Sequence, residues 1–187
     1  MKGRESGMPL KDMWEGFFNP IETLNIMGLG EAKNVVEFGC GYGTFTIPAA
    51  KMIRGTIYAI DIESEMTEAT GKEAKVEGLH NVKTILRDFM AQGTGLPAES
   101  VDYVMLFNIL HIENPEIMLQ EAWRILKKKG KVGIIHWNYD ASTPRGPSME
   151  IRPKPSACIK WTEDIGFIQP EQYNLKPYHY GIVMRKE

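Results

Sequence analysis

One stretch limits the possible folds of this chain more than any other: an apolar run that ends in an acid and breaks into alternate glycines, Val35-Val36-Glu37-Phe38-Gly39-Cys40-Gly41-Tyr42-Gly43. Residues 34–38 predict a buried strand. Thr44 to Ile53 predicts a helix, with Pro48 near its first turn, where a missing N–H costs least. Between them, positions without a Cβ let the backbone turn sharply and approach a ligand closely. A helix start of this kind attracts negative groups, but a carboxylate at Glu37 would repel a pyrophosphate. The dinucleotide fingerprint G-x-G-x-x-G also requires glycine at position 44, where the chain has Thr44. Both departures argue against a nicotinamide oxidoreductase and favour a nucleoside with a cationic methionyl group.

Strand-like and helix-like stretches alternate from residue 33 to 137, the pattern of an α/β fold with a parallel sheet. Residues 56–60 predict a second strand. Ser64 is expected to cap a helix running to Val76, with Gly78 as its stop. Residues 81–86 and 101–107 predict strands three and four. Asn114 and Pro115 then open a helix whose apolar face is Met118, Leu119, Ala122, Ile125 and Leu126. Lys127, Lys128 and Lys129 are expected at the negative end of that helix, and Gly130 as its stop. Residues 131–136 predict strand five. Four prolines make 138–155 a loop; Cys158, Trp161, Thr162 and Ile165 predict a short helix stopped by Gly166. Residues 167–174 and 178–185 predict a hairpin around Lys176-Pro177.

The expected organisation is one domain over residues 1–187: an N-terminal cap (1–32), a cofactor-binding core (33–137), and a substrate-side loop, helix and hairpin (138–187). A net charge of -2 leaves no global footprint for nucleic acid or an anionic membrane. No apolar run is long enough to span a bilayer, and nothing at Met1 reads as a leader. Cys40 and Cys158, 118 positions apart, form neither a disulfide framework nor a zinc pattern. A cytoplasmic setting without a metal follows as the default.

The strand ends supply further candidates. Asp61, 18 residues after Gly43, is placed to accept both ribose hydroxyls of a nucleoside; Ile62 and Met66 follow it. Asp88-Phe89 offers a carboxylate to an adenine amino group, and Asn108-Ile109-Leu110-His111 faces the same crevice. From Val35 to Trp137 the chain resembles class I S-adenosylmethionine-dependent methyltransferases, in particular the small-molecule branch that includes quinone-biosynthesis enzymes. Glu37 to Gly43 is similar to that family's first motif and Asp61 to its ribose acid. Arg87-Asp88-Phe89 with Leu96-Pro97 and Ser100-Val101-Asp102, and Glu121 through Gly130, are similar to later blocks. The resemblance implies a Rossmann-like sheet of seven strands with helices on both faces and the last strand antiparallel. It also implies S-adenosylmethionine as methyl donor to a small-molecule acceptor. A non-catalytic S-adenosylmethionine-binding module that regulates or activates a partner is the alternative.

On the acceptor side, His111 and His136 are the candidate bases, each just past a strand; the alternative is a structural role at strand ends. Arg145 and Arg152, in the proline-rich loop, are expected to clamp a carboxylate or phosphate, or else to belong to a stiff solvent-facing loop. Trp14, with Phe17 and Phe18, is expected to form an aromatic lid, or to pack the N-terminal segment. Cys40 reads as a small residue in a tight turn and Cys158 as core. Asn108 is not followed by Pro-Pro-Tyr, the arrangement associated with amide or exocyclic nitrogen methylation, and there is no Pro-Cys nucleophile for cytosine. Oligomeric state is not encoded in any motif.

Overall fold

The computed structural model describes residues 9–187. The first eight residues of the expected cap, and the reading made at Met1, lie outside the described residues.

Successive residues of a strand face opposite sides of a sheet, and here both sides are apolar. In β1 (Val35–Phe38), Val36 and Phe38 join one buried cluster and Val35 another. In β4 (Val101–Phe107), Val104 and Leu106 face one way, Tyr103, Met105 and Phe107 the other. Strands of this kind need helices on both faces. The first cluster is covered by α6 (Pro115–Ile125) and α7 (Pro155–Ile165), the second by α2 (Pro20–Ile26) and α3 (Thr46–Met52). Met118, Leu119 and Ile125 of α6 are fully buried. Each contributes about 1.5–3 kcal/mol, well above the tenths of a kcal/mol that separate most helix propensities.

The remaining elements are α1 (Lys11–Glu15), β2 (Ile57–Asp61), α4 (Ser64–Val76), β3 (Val82–Leu86), α5 (Phe89–Gln92), β5 (Leu126–Trp137), β6 (Ile168–Leu175) and β7 (His179–Arg185). The sheet has seven strands in the order β3-β2-β1-β4-β5-β7-β6. Pairing is parallel from β3 to β5, and β7 runs antiparallel to both β5 and β6. The expected Rossmann-like architecture is therefore present. The chain builds outward from β1 to β3, then returns to place β4 on the other side of β1. A crevice opens at such a reversal, outside the carboxyl ends of the strands.

Two local expectations are corrected. Leu126 and the three lysines do not continue α6, and Gly130 does not stop it: the helix ends at Ile125 and β5 begins at Leu126. Tertiary contacts override the helical pattern. Leu126 pairs with Val101, Lys127 Nζ reaches Asp102 at 2.8 Å, and Lys186 Nζ donates to the carbonyls of Trp123 (2.8 Å) and Leu126 (2.7 Å). Ser64 is the first residue of α4 rather than its cap, a position held by Glu63. Its neighbour Asp61 accepts the Glu63 N–H and sets where the helix begins.

Candidate active site

A cavity of about 410 Å³ opens at the reversal point, over the carboxyl ends of β1 to β5. Its floor is the glycine turn. Gly39 and Gly41 have φ of +72° and +53°, a region that favours glycine. A Cβ on Gly39 would stand 2.8 Å from Ile109 Cδ1. The Gly39 and Cys40 amides both donate to the Ile60 carbonyl, which folds the turn back over β2.

Acids stand at the ends of three adjacent strands. Glu37 on β1 is only 2% exposed and accepts a short hydrogen bond from Thr46 Oγ1. Burial raises its pKa to about 8, opposed by the Thr46 bond and reinforced by Asp61. Asp61, the last residue of β2, accepts from the Gly41 amide (3.0 Å) and the Glu63 amide (3.1 Å). Burial raises its pKa too, against the pull of those bonds. Asp88, beyond β3, caps α5 through Oδ1 with 3.1 Å bonds to the Met90 and Ala91 amides. Phe89 lines the cavity and packs edge-on to Phe38.

Asn108 follows β4 with φ +55°, and its backbone N–H donates to the Ile135 carbonyl at 2.7 Å. Asn108 lines the cavity; its side-chain amide atoms are buried and have no partner among the described residues. The buried hydroxyl of Thr44 is likewise unpartnered and at the cavity.

Beyond β4 and β5 the lining changes to Trp14, Phe17, His111, Trp137, Arg145 and Pro147. His111 Nδ1 lies 3.2 Å from His136 Nε2. Burial lowers the pKa of His111, and that of His136 further, with His111 and His179 adding to the burial effect. Both rings are neutral at pH 7.

A family model described as methyltransferase domain matches residues 35–130, just over half of the chain. The chain belongs to the methyltransferase-domain family. Aklanonic acid methyltransferase DauC of Streptomyces sp. (strain C5) is 30% identical over 132 residues, covering 68% of this chain and 59% of that protein. Demethylmenaquinone methyltransferase of Listeria welshimeri is 29% identical over 129 residues, covering 67% and 52%. The chain thus spans little more than half the length of the curated relatives it matches. Among solved structures, a SAM-dependent methyltransferase from Aquifex aeolicus superposes with a TM-score of 0.84 at 25% identity, covering 95% of this chain and 94% of that one.

In this methyltransferase-domain chain the fold gathers most of the residues singled out by sequence. Glu37, Gly39, Cys40 and Gly41 line the cavity, as do Asp61, Ile62, Asp88, Phe89 and Asn108. Tyr42, Gly43 and Met66 do not. Tyr42 donates to the Pro9 carbonyl at 3.2 Å, tying the N-terminal segment to the glycine turn. Gly43 abuts Thr70, and Met66 is buried in α4. Burial pushes the Cys40 thiol far up, so it stays protonated.

Two candidates on the acceptor side are corrected. His136 is fully buried behind His111 and does not reach the cavity. Arg152 does not face a ligand: it donates to the carbonyls of Asn138, Asp140, Arg145 and Pro147 and to Thr143 Oγ1. A proline-rich loop has few N–H groups to satisfy its own carbonyls, and the five donors of a guanidinium supply them. Phe18 packs on Phe45 and His179, away from the cavity. Trp137 also lines the cavity, and its position at the carboxyl end of a central strand is the sequence signal that marks it. Among the described residues no helix is long and apolar enough to cross a membrane, and no His/Cys/Asp/Glu cluster is arranged to hold a metal.

Proposed function

We propose that this chain transfers a methyl group from S-adenosylmethionine to a small-molecule acceptor. The carrying observation is a lining suited to this cofactor: three acids at adjacent strand ends beside a glycine turn in which Gly39 and Gly41 have positive φ. Asp61 would hold the ribose hydroxyls, its carboxylate being oriented at the cavity by the Gly41 and Glu63 amides. Glu37 would face the methionyl ammonium, whose charge compensates a buried carboxylate. Asp88, Phe89 and Ile62 would hold the adenine. The cofactor supplies a methyl group made electrophilic by a sulfonium.

The protein's own contribution is placement and exclusion of water. Trp14 and Phe17, from the N-terminal segment, and Trp137 line the far end of the cavity with aromatic surface. His111 is the catalytic residue that would touch the acceptor. Residues 1–187 are read as one domain, with 33–137 holding the cofactor. The relatives' names, for aklanonic acid and demethylmenaquinone, support a small-molecule acceptor without identifying it.

Calorimetry with S-adenosylhomocysteine tests the cofactor reading, and transfer of a labelled methyl group into an extract of small molecules tests turnover. No binding at millimolar concentration overturns the first, and binding without transfer would favour a non-catalytic module.

A further inference from the structure

We propose that the acceptor is a flat aromatic acid, bound as an oxyanion between Arg145 and His111. This deepens the proposed function and rests on it.

Charge is sorted along the edge of the sheet. Asp88, Asp61 and Glu37 follow or end β3, β2 and β1, while Arg145 lies in the loop after β5. From β2 to β5 is three strand spacings, about 14 Å. Among the described residues, the cavity lining at the β5 end contains no carboxylate and none pairs with Arg145. A cation beside an otherwise apolar, aromatic pocket selects for an anion on a flat body.

The loop that carries Arg145 is built, not incidental. Arg152 and Thr143 both donate to the Arg145 carbonyl, at 3.3 and 3.0 Å. Gly146, with φ +119°, lies so close to the Trp137 ring that a Cβ there would stand 2.9 Å from its Cγ. The loop is thus pressed onto Trp137, which places Arg145 and Pro147 at the cavity. Arg152, which sequence alone pairs with Arg145 as a ligand clamp, instead holds the loop that presents it.

His111 supplies the second donor. Its Nδ1 is engaged by His136, so only Nε2 is available to the cavity. An oxyanion there requires a donor, which sets the His111 proton on Nε2 and has His136 Nε2 donate to His111 Nδ1. In that tautomer His111 is a hydrogen-bond donor to the oxyanion, not a waiting base.

The reaction balances without a base. The acceptor's anionic oxygen gives an electron pair to the methyl carbon. The carbon–sulfur bond breaks with its pair going to sulfur, leaving a neutral methyl ester or ether and a neutral thioether. No proton is released, and the two opposite charges cancel in the transfer.

The probes are 2-naphthoate, 2-naphthylmethanol and 2-naphthylmethylammonium, titrated by ligand-observed NMR against the full chain saturated with S-adenosylhomocysteine. Naphthoate is expected to bind roughly 10- to 100-fold more tightly than the neutral alcohol, with the ammonium weakest. Arg145→Met should abolish that preference and Arg145→Lys restore part of it. Nitrogen-15 NMR should show His111 protonated on Nε2 and bare at Nδ1. Equal binding of acid and alcohol, tighter binding of the ammonium, no binding of any probe, an unchanged preference in Arg145→Met, or the opposite His111 tautomer overturns the proposal. Calorimetry of each variant with S-adenosylhomocysteine reports that it is folded. If wild-type protein fails to bind S-adenosylhomocysteine, the cofactor reading itself fails; if it binds and the naphthoate preference is absent, only the acceptor inference does.

Discussion

His111 Nδ1 and His136 Nε2 meet at 3.2 Å across the ends of β4 and β5, one ring at the cavity and the other sealed behind it. Burial holds both rings below the ordinary histidine pKa of 6.5. In the unfolded chain they take up protons first as pH falls, so stability is present above 6.5 and is lost below it. His136→Phe removes one such ring. Urea unfolding between pH 6.5 and 4 should then show a shallower acid-side decline, by up to about 1.4 kcal/mol per pH unit. An identical slope in the variant would mean that His136 is not held neutral in the fold.

Glu37 behaves in the opposite sense. Its folded pKa is raised to about 8 from 4.5, so the unfolded chain ionises first and stability falls as pH rises through that window. Glu37→Gln should be the more stable protein at pH 8 by a few kcal/mol and little different at pH 4.5, as read by denaturant unfolding. A bound ammonium would hold Glu37 ionised. Binding of S-adenosylhomocysteine near pH 7 should therefore release close to one proton, measured by calorimetry in buffers of different ionisation enthalpy, and the release should vanish in Glu37→Gln.

Asp61 joins turn and ligand. Asp61→Ala deletes the acceptor for the Gly41 and Glu63 amides as well as the proposed ribose contact. S-adenosylhomocysteine affinity should fall by about 10- to 100-fold. Asp61→Asn keeps one oxygen and should lose less. A calorimetric change under twofold for alanine would remove Asp61 from the site.

Arg152 should matter to the loop more than to any ligand. Arg152→Met leaves several carbonyls of residues 138–147 without a donor. A loss of about 2–3 kcal/mol in stability is expected, together with proteolytic cleavage within the loop. Lysine cannot reproduce the planar fork and should not rescue it. Unchanged proteolysis of the methionine variant would contradict this role.

Strand, turn and helix at residues 34–53 were legible because their signals are local: apolar continuity, glycine spacing and a helical stretch after it. So were Asp61, Asp88 and Asn108, because position at a strand's carboxyl end is a chain-order property in a parallel sheet. The boundary between α6 and β5 was not. Three lysines after an amphipathic helix read as a helix end, yet strand pairing with Val101 and the buried ammonium of Lys186 draw them into β5.

By itself, the sequence determined an α/β sheet with an acid-and-glycine turn and a row of polar residues at successive strand ends, since periodicity and spacing act between near neighbours. Only the tertiary structure decided which arginine lines the cavity and which histidine stands behind the other. Arg145 and Arg152 are the same residue type in the same loop, and His111 and His136 both follow or end a strand. They differ in what the folded chain places around them. Carbonyls converge on one guanidinium while the other lies at the cavity, and the sheet buries one imidazole while opening the other to the cavity.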